Sequence, residues 1–498
     1  MSEHLLSIDL GTTHCRVSVH DSGGACLGSA SRRTPVLAGP GGAAEQDAEQ
    51  VWETARDLMR QVAAETGAND LLALAVSAQG DAIIPIDRNG KALHNAILGM
   101  DYRALAQSTA VERRFGGRRI FRLTGMRPHP LNALCKLLWL KEERRAVFES
   151  ARRIMTFSDF LAFRLGADPG IDVTMASRTM GFDLARGTWS GRMLSQLGID
   201  PALLSPVVPS GAPLGRMSRG VSESLGLSAR PMIVAGAHDQ VCAALGAGVP
   251  VRCRSVISTG TAEVLSCAFD TPVLNRAMYD AFYPCSRFAG PGMFFTFSLN
   301  HTGGILLDWF LGLLDEGRPP SYDRVFSDLP EGPSPVLVLP HFNGSGTPWC
   351  DTRSLGAMLG LTLTTDRRDI ALALLESLSF ELRINLERME AAGIAVGQPA
   401  AVGGGAKSRA WLQIKADILE RPVSAPATPD AASLGAAILA GAGSGLFSTI
   451  AEGIGRLVPA AVTVEPRPAT SARYRERYSI YRGVYPRLTP IHRRLGAP

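Results

Sequence analysis

Four short segments, each directly after an apolar run, do most to limit the folds open to this chain. They read DLGTT at 9–13, GAHDQ at 236–240, STGTA at 258–262 and GGGAKS at 403–408. The preceding runs have the length and composition of buried strands, so the segments are predicted to be strand-end turns. Strands that end in such turns and alternate with helical patterns predict an α/β fold.

Two of these turns lie in similar surroundings. Residues 5–19 and residues 256–268 both read as strand, hydroxyl-rich turn, strand. This pattern suggests an internal repeat, although two hairpins of this composition can also arise independently. The further predicted elements are helices over residues 47–64, 369–391 and 409–419, a mostly helical stretch over residues 131–163 and a loop over residues 205–219.

The length of the chain predicts more than one domain. At 498 residues it exceeds the size at which a single core keeps growing. Pro250 interrupts the pattern, so we place the boundary at residues 248–254. The expected parts are an N-terminal domain of residues 1–248, a C-terminal domain of residues 254–450, and a tail of residues 451–498 that packs back on the body.

Composition argues against several other classes of protein. The net charge of +5 is small, and the arginine-rich stretches at 113–122 and 467–494 show no alternation with aromatic residues, so nucleic-acid binding is not expected. The eight cysteines form no Cys-x-x-Cys pair, which indicates neither zinc nor a disulfide framework. No apolar run approaches the roughly 20 residues of a membrane helix, and no signal peptide precedes the first strand. We therefore expect a cytoplasmic protein without membrane contact.

The turns at 9–13 and 258–262 combine groups that bind phosphate. Glycine lets the backbone approach an anion, and the hydroxyl groups contact phosphate oxygens. Asp9 adds a carboxylate of the kind that Mg²⁺ takes together with water and substrate phosphate. For each turn alone, the alternative is an ordinary hairpin turn, with Asp9 as a capping residue.

The turn at 403–408 is the more specific signal. Its three consecutive glycines lie between a predicted strand and a predicted helix, where they leave room for a nucleotide. The N-terminus of the helix also favours negative charge. A flexible loop capped by Ser408 is the alternative.

Asp239 is the candidate catalytic residue. Phosphoryl transfer needs positioning, charge neutralisation and a base for the attacking hydroxyl. An aspartate at a strand end can accept that proton, while the neighbouring His238 and Gln240 hydrogen-bond a polyhydroxylated substrate. The alternative is a capping aspartate at the start of the next helix.

Together these segments resemble the FGGY family of carbohydrate kinases, within the actin-like ATPase superfamily. GAMLGL at 356–361 followed by DIALALLE at 369–376 is similar to the family's C-terminal signature, and residues 404–419 resemble its adenosine motif. The resemblance covers nearly the whole chain, including YRGVYP at 481–486. It implies two ribonuclease-H-like α/β domains that close over an interdomain cleft, with ATP and Mg²⁺ as cofactors.

The resemblance also implies roles for individual residues. Asp239 would be the catalytic base, and Asp9 and Asp239 would hold the metal. The implied substrate-binding residues are Gln79, Gly80, Asp81, Asp101, His238, Asp239 and Gln240. The implied ATP-binding residues are Gly11, Thr12, Thr13, Arg16, Thr259, Gly260, Thr261, Gly304, Asp308, Gly404, Gly405, Ser408 and Arg409.

Departures from the family pattern concern the substrate. QGD at 79–81 stands where glycerol kinases carry Arg-Glu and the main group of xylulose kinases Met-His after the glutamine. Leu131 replaces the tyrosine of glycerol kinases, and Ala133 replaces the Ser, Thr or Pro of the N-terminal signature. The QGD turn, MDYR at 100–103 and GTAE at 260–263 most resemble the fuculose-kinase-like and related pentulose kinase subgroups.

The expected activity is ATP-dependent phosphorylation of a terminal hydroxyl of a small neutral sugar, a xylulose- or fuculose-like ketose. Asp81, Asp239 and Gln240 suit a neutral polyol, whereas an acidic sugar would favour arginine. The alternatives are an erythritol- or glycerol-like polyol kinase and a sugar-independent actin-like ATPase; a catalytically inactive regulator is disfavoured. The expected partners are the sugar and ATP, and a homodimer is one option for the oligomeric state.

Overall fold

The N-terminal half of the chain is built on a six-stranded mixed sheet. The computed structural model describes residues 4–314, 322, 326, 328–428 and 430–495. In spatial order the strands of this sheet are Pro213–Arg216, Met232–His238, Ala73–Ala78, Leu5–Leu10, His14–His20 and Cys26–Arg33. The second, third and fourth of these strands are parallel, so their carboxyl ends meet at one edge of the sheet.

A seven-stranded sheet organises the C-terminal half. In spatial order its strands are Ser286–Arg287, Phe294–Asn300, Glu263–Phe269, Ser255–Thr259, Pro399–Gly403, Val423–Pro426 and Ala461–Val464. As in the first sheet, one strand of an antiparallel hairpin is followed in the sheet by two strands parallel to it. An antiparallel strand, here Ala461–Val464, then forms the edge of the sheet. The hairpin repeat suggested by the sequence therefore corresponds to two sheets of matching strand order.

Short strands and three 3₁₀ turns complete the connections. The small sheets are Leu37–Gly39 with Ala43–Gln46 and Ala96–Ile97, Ile84–Ile86 with Arg153–Met155, Ile171–Asp172 with Val207–Val208, Phe182–Asp183 with Thr188–Trp189, and Leu337–Leu339 with Ala357–Leu359. The 3₁₀ turns are Pro40–Gly42, Pro201–Leu203 and Gly404–Lys407.

Helices cover the sheets and fill the space between them. They are Ala48–Thr66, Leu105–Phe115, Gly117–Thr124, Ala133–Glu143, Arg145–Ser150, Phe157–Arg164, Val173–Arg178, Gly191–Gln196, Arg219–Ser224, Asp239–Gly246, Arg276–Asp280, Gly304–Leu314, Arg367–Ala391, Arg409–Leu419, Ala431–Ser444, Ile450–Leu457, Pro468–Tyr481 and Val484–Leu495. None of the helices in the described ranges has the length and apolar character needed to cross a bilayer.

Helix Ala431–Ser444 leaves the second sheet and packs on the first. It contacts four strands of the N-terminal sheet and crosses helix Asp239–Gly246. The crossing is close because a Cβ atom at Gly246 would lie 1.9 Å from the Ala431 carbonyl oxygen, and one at Gly435 would lie 1.9 Å from that of Cys242. Glycine at both positions lets the two helix backbones touch, which ties the two halves together below the strand ends.

The C-terminal helices pack on the long helix Arg367–Ala391. Three tyrosines of helix Pro468–Tyr481 surround Phe380 and donate hydrogen bonds of 2.6–2.8 Å to glutamates of the long helix. Strand Ala461–Val464 adds the edge strand of the second sheet. The pairs are Tyr474 with Glu376, Tyr478 with Glu387, and Tyr481 with Glu381.

Two stretches contain short strands that the local pattern did not indicate. Residues 205–219 contain strand Pro213–Arg216, which pairs with Met232–His238, so the predicted loop is wrong in that part. Residues 131–163 are mostly helical, as predicted, with strand Arg153–Met155 between the helices. In both cases a short strand is stabilised by pairing with a distant segment, which the local pattern does not contain.

Candidate active site

The carboxyl ends of the three parallel strands of the first sheet bring three predicted site segments together. Asp9 lies on strand Leu5–Leu10, Gly80 and Asp81 follow Ala73–Ala78, and Asp239 follows Met232–His238. The register of the last strand shifts between Val234 and Ala237. A Cβ atom at Gly236 would lie 1.7 Å from the Val76 carbonyl oxygen, so the local irregularity needs glycine there.

The second sheet forms a separate cavity of about 780 Å³. Its walls are the turn after strand Ser255–Thr259, the start of helix Gly304–Leu314 and the 3₁₀ turn Gly404–Lys407. Nine of the expected ATP-binding residues line this one cavity: Thr259, Gly260, Thr261, Gly304, Asp308, Gly404, Gly405, Ser408 and Arg409. Three segments far apart in sequence thus meet at one cavity.

Close backbone contacts explain the glycines of this cavity. The amide of Gly304 donates to the Gly260 carbonyl oxygen at 2.7 Å. A Cβ atom at Gly405 would lie 2.8 Å from the Cβ of Thr259. Ser408 caps helix Arg409–Leu419 by accepting the Trp411 amide. The cavity therefore ends at the N-terminus of an eleven-residue helix, which favours an anionic group.

A buried ion pair supports the wall of this cavity, which is called the nucleotide cavity below because expected ATP-binding residues line it. Lys415 Nζ lies 2.7 Å from Glu263 Oε1, and both side chains are fully buried. The Thr259 hydroxyl donates to the same carboxylate oxygen at 2.8 Å, so this expected ATP contact is directed into the protein. Lys415 also lies over the ring of Trp411 at 4.1 Å. Local sequence patterns did not indicate this pair, because its two members are 152 positions apart.

The predicted phosphate turn Gly11–Thr12–Thr13 forms the hairpin between the first two strands. The Gly11 amide donates to the His14 carbonyl oxygen at 3.0 Å, and the Thr13 hydroxyl lies 3.0 Å from His14 Nδ1. Arg16, the fourth expected ATP ligand of this hairpin, forms an ion pair of 2.5 Å with Asp430. The turn lies at the N-terminal sheet, apart from the nine residues of the nucleotide cavity.

The surroundings of Asp9 disfavour its ionised form, so its carboxylate suits a bound cation. Burial, followed by the nearby charge of Asp430, raises its pKa to about 7, although Ser77 donates a hydrogen bond to it at 2.6 Å. The charge of Asp239 raises the pKa of Asp9 further, which places the two predicted metal ligands near each other. No group of three or more His, Cys, Asp or Glu residues in the described ranges could hold a metal ion. Asp9 fits Mg²⁺, which commonly binds one or two carboxylates plus water and phosphate.

Asp239 begins helix Asp239–Gly246. Its carboxylate accepts the Gln240 amide at 2.6 Å, so it also satisfies one free N–H of the helix start. Burial is the main cause that raises its pKa to about 6, while the Gln240 amide and Arg178 lower it. A group with this pKa is ionised near neutral pH and still accepts a proton readily.

His238 positions Asp239 rather than sharing its charge. Its Nε2 atom lies 3.2 Å from Asp239 Oδ1, and its ring stacks at 23° on Phe297 of the second sheet. Burial, with a further contribution from Arg178, lowers the pKa of His238 well below its usual value. The ring is therefore neutral at pH 7 and forms no ion pair with Asp239.

A second cavity, of about 280 Å³, lies between the two halves. Asp239 does not line it, but the charges of two lining residues, Asp81 and Arg178, act on the pKa of Asp239, which places the carboxyl group nearby. The first half contributes Asp81 and Arg178 and the segment 126–132, and the second contributes Phe297 and the segment 345–352. A side chain at Gly80 would come within 2.7 Å of Arg178 and 2.9 Å of His238, so glycine keeps these groups in place. This cavity is the candidate sugar site.

The polar centre of this cavity is the pair Asp81–Arg178, with an N–O distance of 2.5 Å. Asp81 Oδ1 and Arg178 Nε and Nη1 are buried and have no hydrogen-bond partner among the described residues. Buried polar atoms are normally hydrogen-bonded, so these atoms are suited to a polar substrate. The Arg178 guanidinium also lies over the ring of Phe297 at 4.9 Å.

Lys136 supports the backbone turn at Asp81. Its fully buried ammonium group donates to the backbone carbonyl oxygens of Asp81 and Leu131 at 2.5 and 2.6 Å. Asp81 has a left-handed backbone with φ of 65°, which costs energy for a residue other than glycine. Lys136 thus stabilises a strained turn that directs Asp81 towards Arg178.

Three expected substrate residues have other positions. Asp101 is fully buried, accepts the Ala44 amide at 2.7 Å and pairs with Arg103 at 2.8 Å, so its carboxylate is engaged in the protein. Gln79 is buried and donates to the Gln46 side chain at 2.9 Å. Gln240 is half-buried at the start of its helix. These contacts give Asp101 and Gln79 a supporting position behind the site.

Several cavity residues were missed by the sequence analysis. Arg178 and Arg127 both line the cavity, although the argument for a neutral sugar assumed no arginine there. Arg178 is paired with Asp81, and Arg127 stacks on Phe282 at 3.7 Å. His129 lies beside them, and burial together with Arg127 lowers its pKa to about 4. Residues that reach a site from separate segments carry no local signal.

Comparison with known proteins agrees with this arrangement. The model of the N-terminal domain of the FGGY family of carbohydrate kinases matches residues 4–246, and that of the C-terminal domain matches residues 255–444. The xylulose kinase of Bacillus subtilis is 26% identical over 97% of this chain and 97% of its own length. The glycerol kinase of Bordetella parapertussis is 29% identical over 97% of this chain and 98% of its own.

The fold also matches solved structures. The ligand-bound xylulose kinase from Lactobacillus acidophilus superposes with a TM-score of 0.89 at 24% identity, over 99% of this chain and 100% of that chain. This likeness confirms the predicted α/β fold class with two domains.

Proposed function

The chain belongs to the FGGY family of carbohydrate kinases, and we propose that it transfers the γ-phosphoryl group of ATP to a terminal hydroxyl of a small ketose. As a member of that family it is a phosphotransferase with an alcohol group as acceptor. The observation that carries the proposal is the placement of Asp239, a base with a pKa of about 6, beside an interdomain cavity with unpaired polar atoms.

In the proposed reaction, Asp239 accepts the proton of the substrate hydroxyl as its oxygen attacks the γ-phosphorus. The bond from that phosphorus to the bridging oxygen breaks, and ADP leaves with the electron pair. The neutral His238 and the Gln240 amide hold the carboxylate in position. Asp81 and Arg178 hydrogen-bond the sugar through the atoms that have no protein partner.

We further propose that the nucleotide occupies the 780 Å³ cavity and that the hairpin of residues 9–16 faces its phosphates. Asp9, with Asp239, would hold Mg²⁺, which neutralises phosphate charge when bound. This assigns the base, the metal and the polar sugar contacts Asp81 and Arg178 to residues 1–248, and the adenosine to residues 254–450. All eight cysteines are free thiols, which supports our placement of the enzyme in the reducing cytoplasm.

A ketose is favoured because relatives named xylulose kinase match this chain along nearly its whole length. A neutral sugar is consistent with Arg178, since Asp81 compensates its charge. The relative named glycerol kinase supports a polyol as second candidate. Against glycerol, Leu131 stands in place of the tyrosine of glycerol kinases and lines the cavity with an apolar side chain.

The test is a coupled ADP-release assay with xylulose, ribulose, fuculose, rhamnulose, erythritol, glycerol and one sugar acid. We expect ADP release to depend on a ketose and to fall by roughly 10²–10⁴-fold in Asp239→Asn. Asp270→Asn, at a carboxylate that is 71% exposed and paired only with Arg254 among the described residues, is the control. ATP turnover independent of every sugar would instead support an actin-like ATPase, and full activity of Asp239→Asn would refute the base assignment.

A further inference from the structure

A third large cavity lies on the N-terminal half, outside the sites described above. It has a volume of about 700 Å³ and is formed by helices Leu105–Phe115, Gly117–Thr124 and Gly191–Gln196 and the hairpin at 182–189. Trp189 contributes an aromatic wall. The cationic side chains that line the cavity are Arg114, Arg119, Arg122, Arg186 and Arg192.

The charge of this arginine cavity is almost uncompensated. Asp183 is the one acidic side chain that lines it, and it lies 3.9 Å from Arg186. Arg119, Arg122 and Arg192 have no ion-pair partner within the part of the chain that the structure describes. By contrast, the exposed Arg219 pairs with Glu223 of its own helix at 2.7 Å. Five guanidinium groups around one concavity produce a strong positive potential, because a cleft focuses the field.

The chemistry of the cavity selects phosphate. Guanidinium groups match phosphate oxygens with two parallel hydrogen bonds, which gives both strength and geometry. A cavity with five such groups has room and charge for more than one phosphate. Its concave shape favours a small ligand over an extended polynucleotide, whose backbone follows a stripe or groove.

The walls of the cavity lead directly to the sugar site. Helix Gly117–Thr124 ends at Gly125, and Met126 and Arg127, the next two residues, line the sugar cavity. The Cys285 amide of the second half donates to the Gly125 carbonyl oxygen at 2.9 Å. A Cβ atom at Gly125 would lie 1.8 Å from the Cys285 carbonyl oxygen, so helix end and second half are in close contact.

A second connection runs through Arg287 of the C-terminal sheet. Its guanidinium donates to the Leu184 carbonyl oxygen at 2.7 Å, next to Asp183 of the arginine cavity. Its backbone amide donates to the Ser177 hydroxyl at 3.0 Å, next to Arg178 of the sugar site. These contacts connect the cavity walls to both the sugar site and the contact between the halves.

We propose that the arginine cavity is a regulatory site for a small metabolite that carries two phosphate groups, and that its occupation changes the affinity of the enzyme for sugar. The site is distinct from the nucleotide cavity, which is built on the other sheet. The ligand draws the arginines of the helices and of the hairpin together, and this contraction acts on Arg127 and Arg178 through the connections above.

The test uses inorganic pyrophosphate as the probe. Isothermal titration calorimetry on the full chain, with the nucleotide cavity saturated by ADP, should give one saturable site. The triple variant Arg119→Ala, Arg122→Ala, Arg192→Ala should weaken this binding at least tenfold, and Arg219→Ala should not. Circular dichroism and ADP affinity check that the triple variant is folded.

The kinetic arm measures KM for the sugar at increasing pyrophosphate in both proteins. We expect a KM shift in the wild type and in Arg219→Ala that is absent from the triple variant. Equal pyrophosphate binding by the triple variant and the wild type would refute the site, as would binding of a single-stranded RNA but not of pyrophosphate. Binding without any change in KM would refute its regulatory role. If ADP itself does not bind, the nucleotide assignment fails and not the arginine cavity.

Discussion

The base assignment predicts a specific dependence of activity on pH. Asp239 must be ionised to accept the hydroxyl proton, and its pKa is about 6. At that pKa, about nine tenths of the carboxyl groups are ionised at pH 7 and about one tenth at pH 5. We therefore expect kcat/KM for the sugar to fall about tenfold per pH unit below pH 6. An unperturbed aspartate, with a pKa of about 3.9, would keep nearly full activity down to about pH 5.

Arg178 provides a way to move this titration without touching the base. Its positive charge lowers the pKa of Asp239, so Arg178→Gln should shift the acid limb of the kcat/KM profile to higher pH. The same variant should raise KM, because Arg178 lines the sugar cavity. Arg145→Gln is the control, since this arginine is 81% exposed and pairs with Glu149.

The assay is coupled ADP release at saturating ATP and constant ionic strength, from about pH 5 to about pH 8. Circular dichroism at each pH excludes unfolding as the cause of lost activity. The reasoning is refuted if the acid limb lies near pH 4, or if Arg178→Gln lowers kcat/KM equally at every pH without displacing the limb.

Three further changes test other parts of the structure. Asp9→Asn should raise the free energy of unfolding, because the raised pKa of Asp9 means that its ionisation destabilises the fold. The gain should grow from about pH 4 to about pH 7 and be on the order of 4 kcal/mol above pH 7, as measured by urea unfolding at several pH values. Gly405→Ala should weaken ADP binding about tenfold by calorimetry, since its Cβ would push the cavity wall. Tyr481→Phe should cost about 1–3 kcal/mol in urea unfolding because it removes a donor from the buried Glu381, and Tyr478→Phe should cost less because its partner is 40% exposed.

The strand-end turns were predictable because their signal is local. Gly405 and Thr261 lie in short motifs, each recognisable from a few consecutive residues. Helix Arg409–Leu419 and the end of Arg367–Ala391 were also predicted at the observed residues. Apolar periodicity and glycine content can be recognised within about a dozen consecutive residues, which is about the length of these turns and helices.

The sugar cavity was less predictable because it is assembled from both halves. The resemblance implied a substrate contact for Asp101, whereas in the structure Arg103 and the Ala44 amide engage its carboxylate. Arg178 was not predicted as a site residue, because its position in the site depends on its ion pair with Asp81, which is 97 positions away. Spacing alone cannot distinguish a carboxylate that faces a cavity from one that is paired in the interior.

The same assembly from both halves connects base strength to domain contact. Burial is the main cause of the raised pKa of Asp239. Phe297, from the second sheet, stacks on His238 and lies over Arg178, so the second half contributes to the enclosure of the base and its neighbours. Separation of the two sheets would hydrate Asp239 and lower its pKa, because water stabilises the ionised form. The carboxylate is therefore the stronger base when the halves are in contact, which is also the arrangement that completes the sugar cavity.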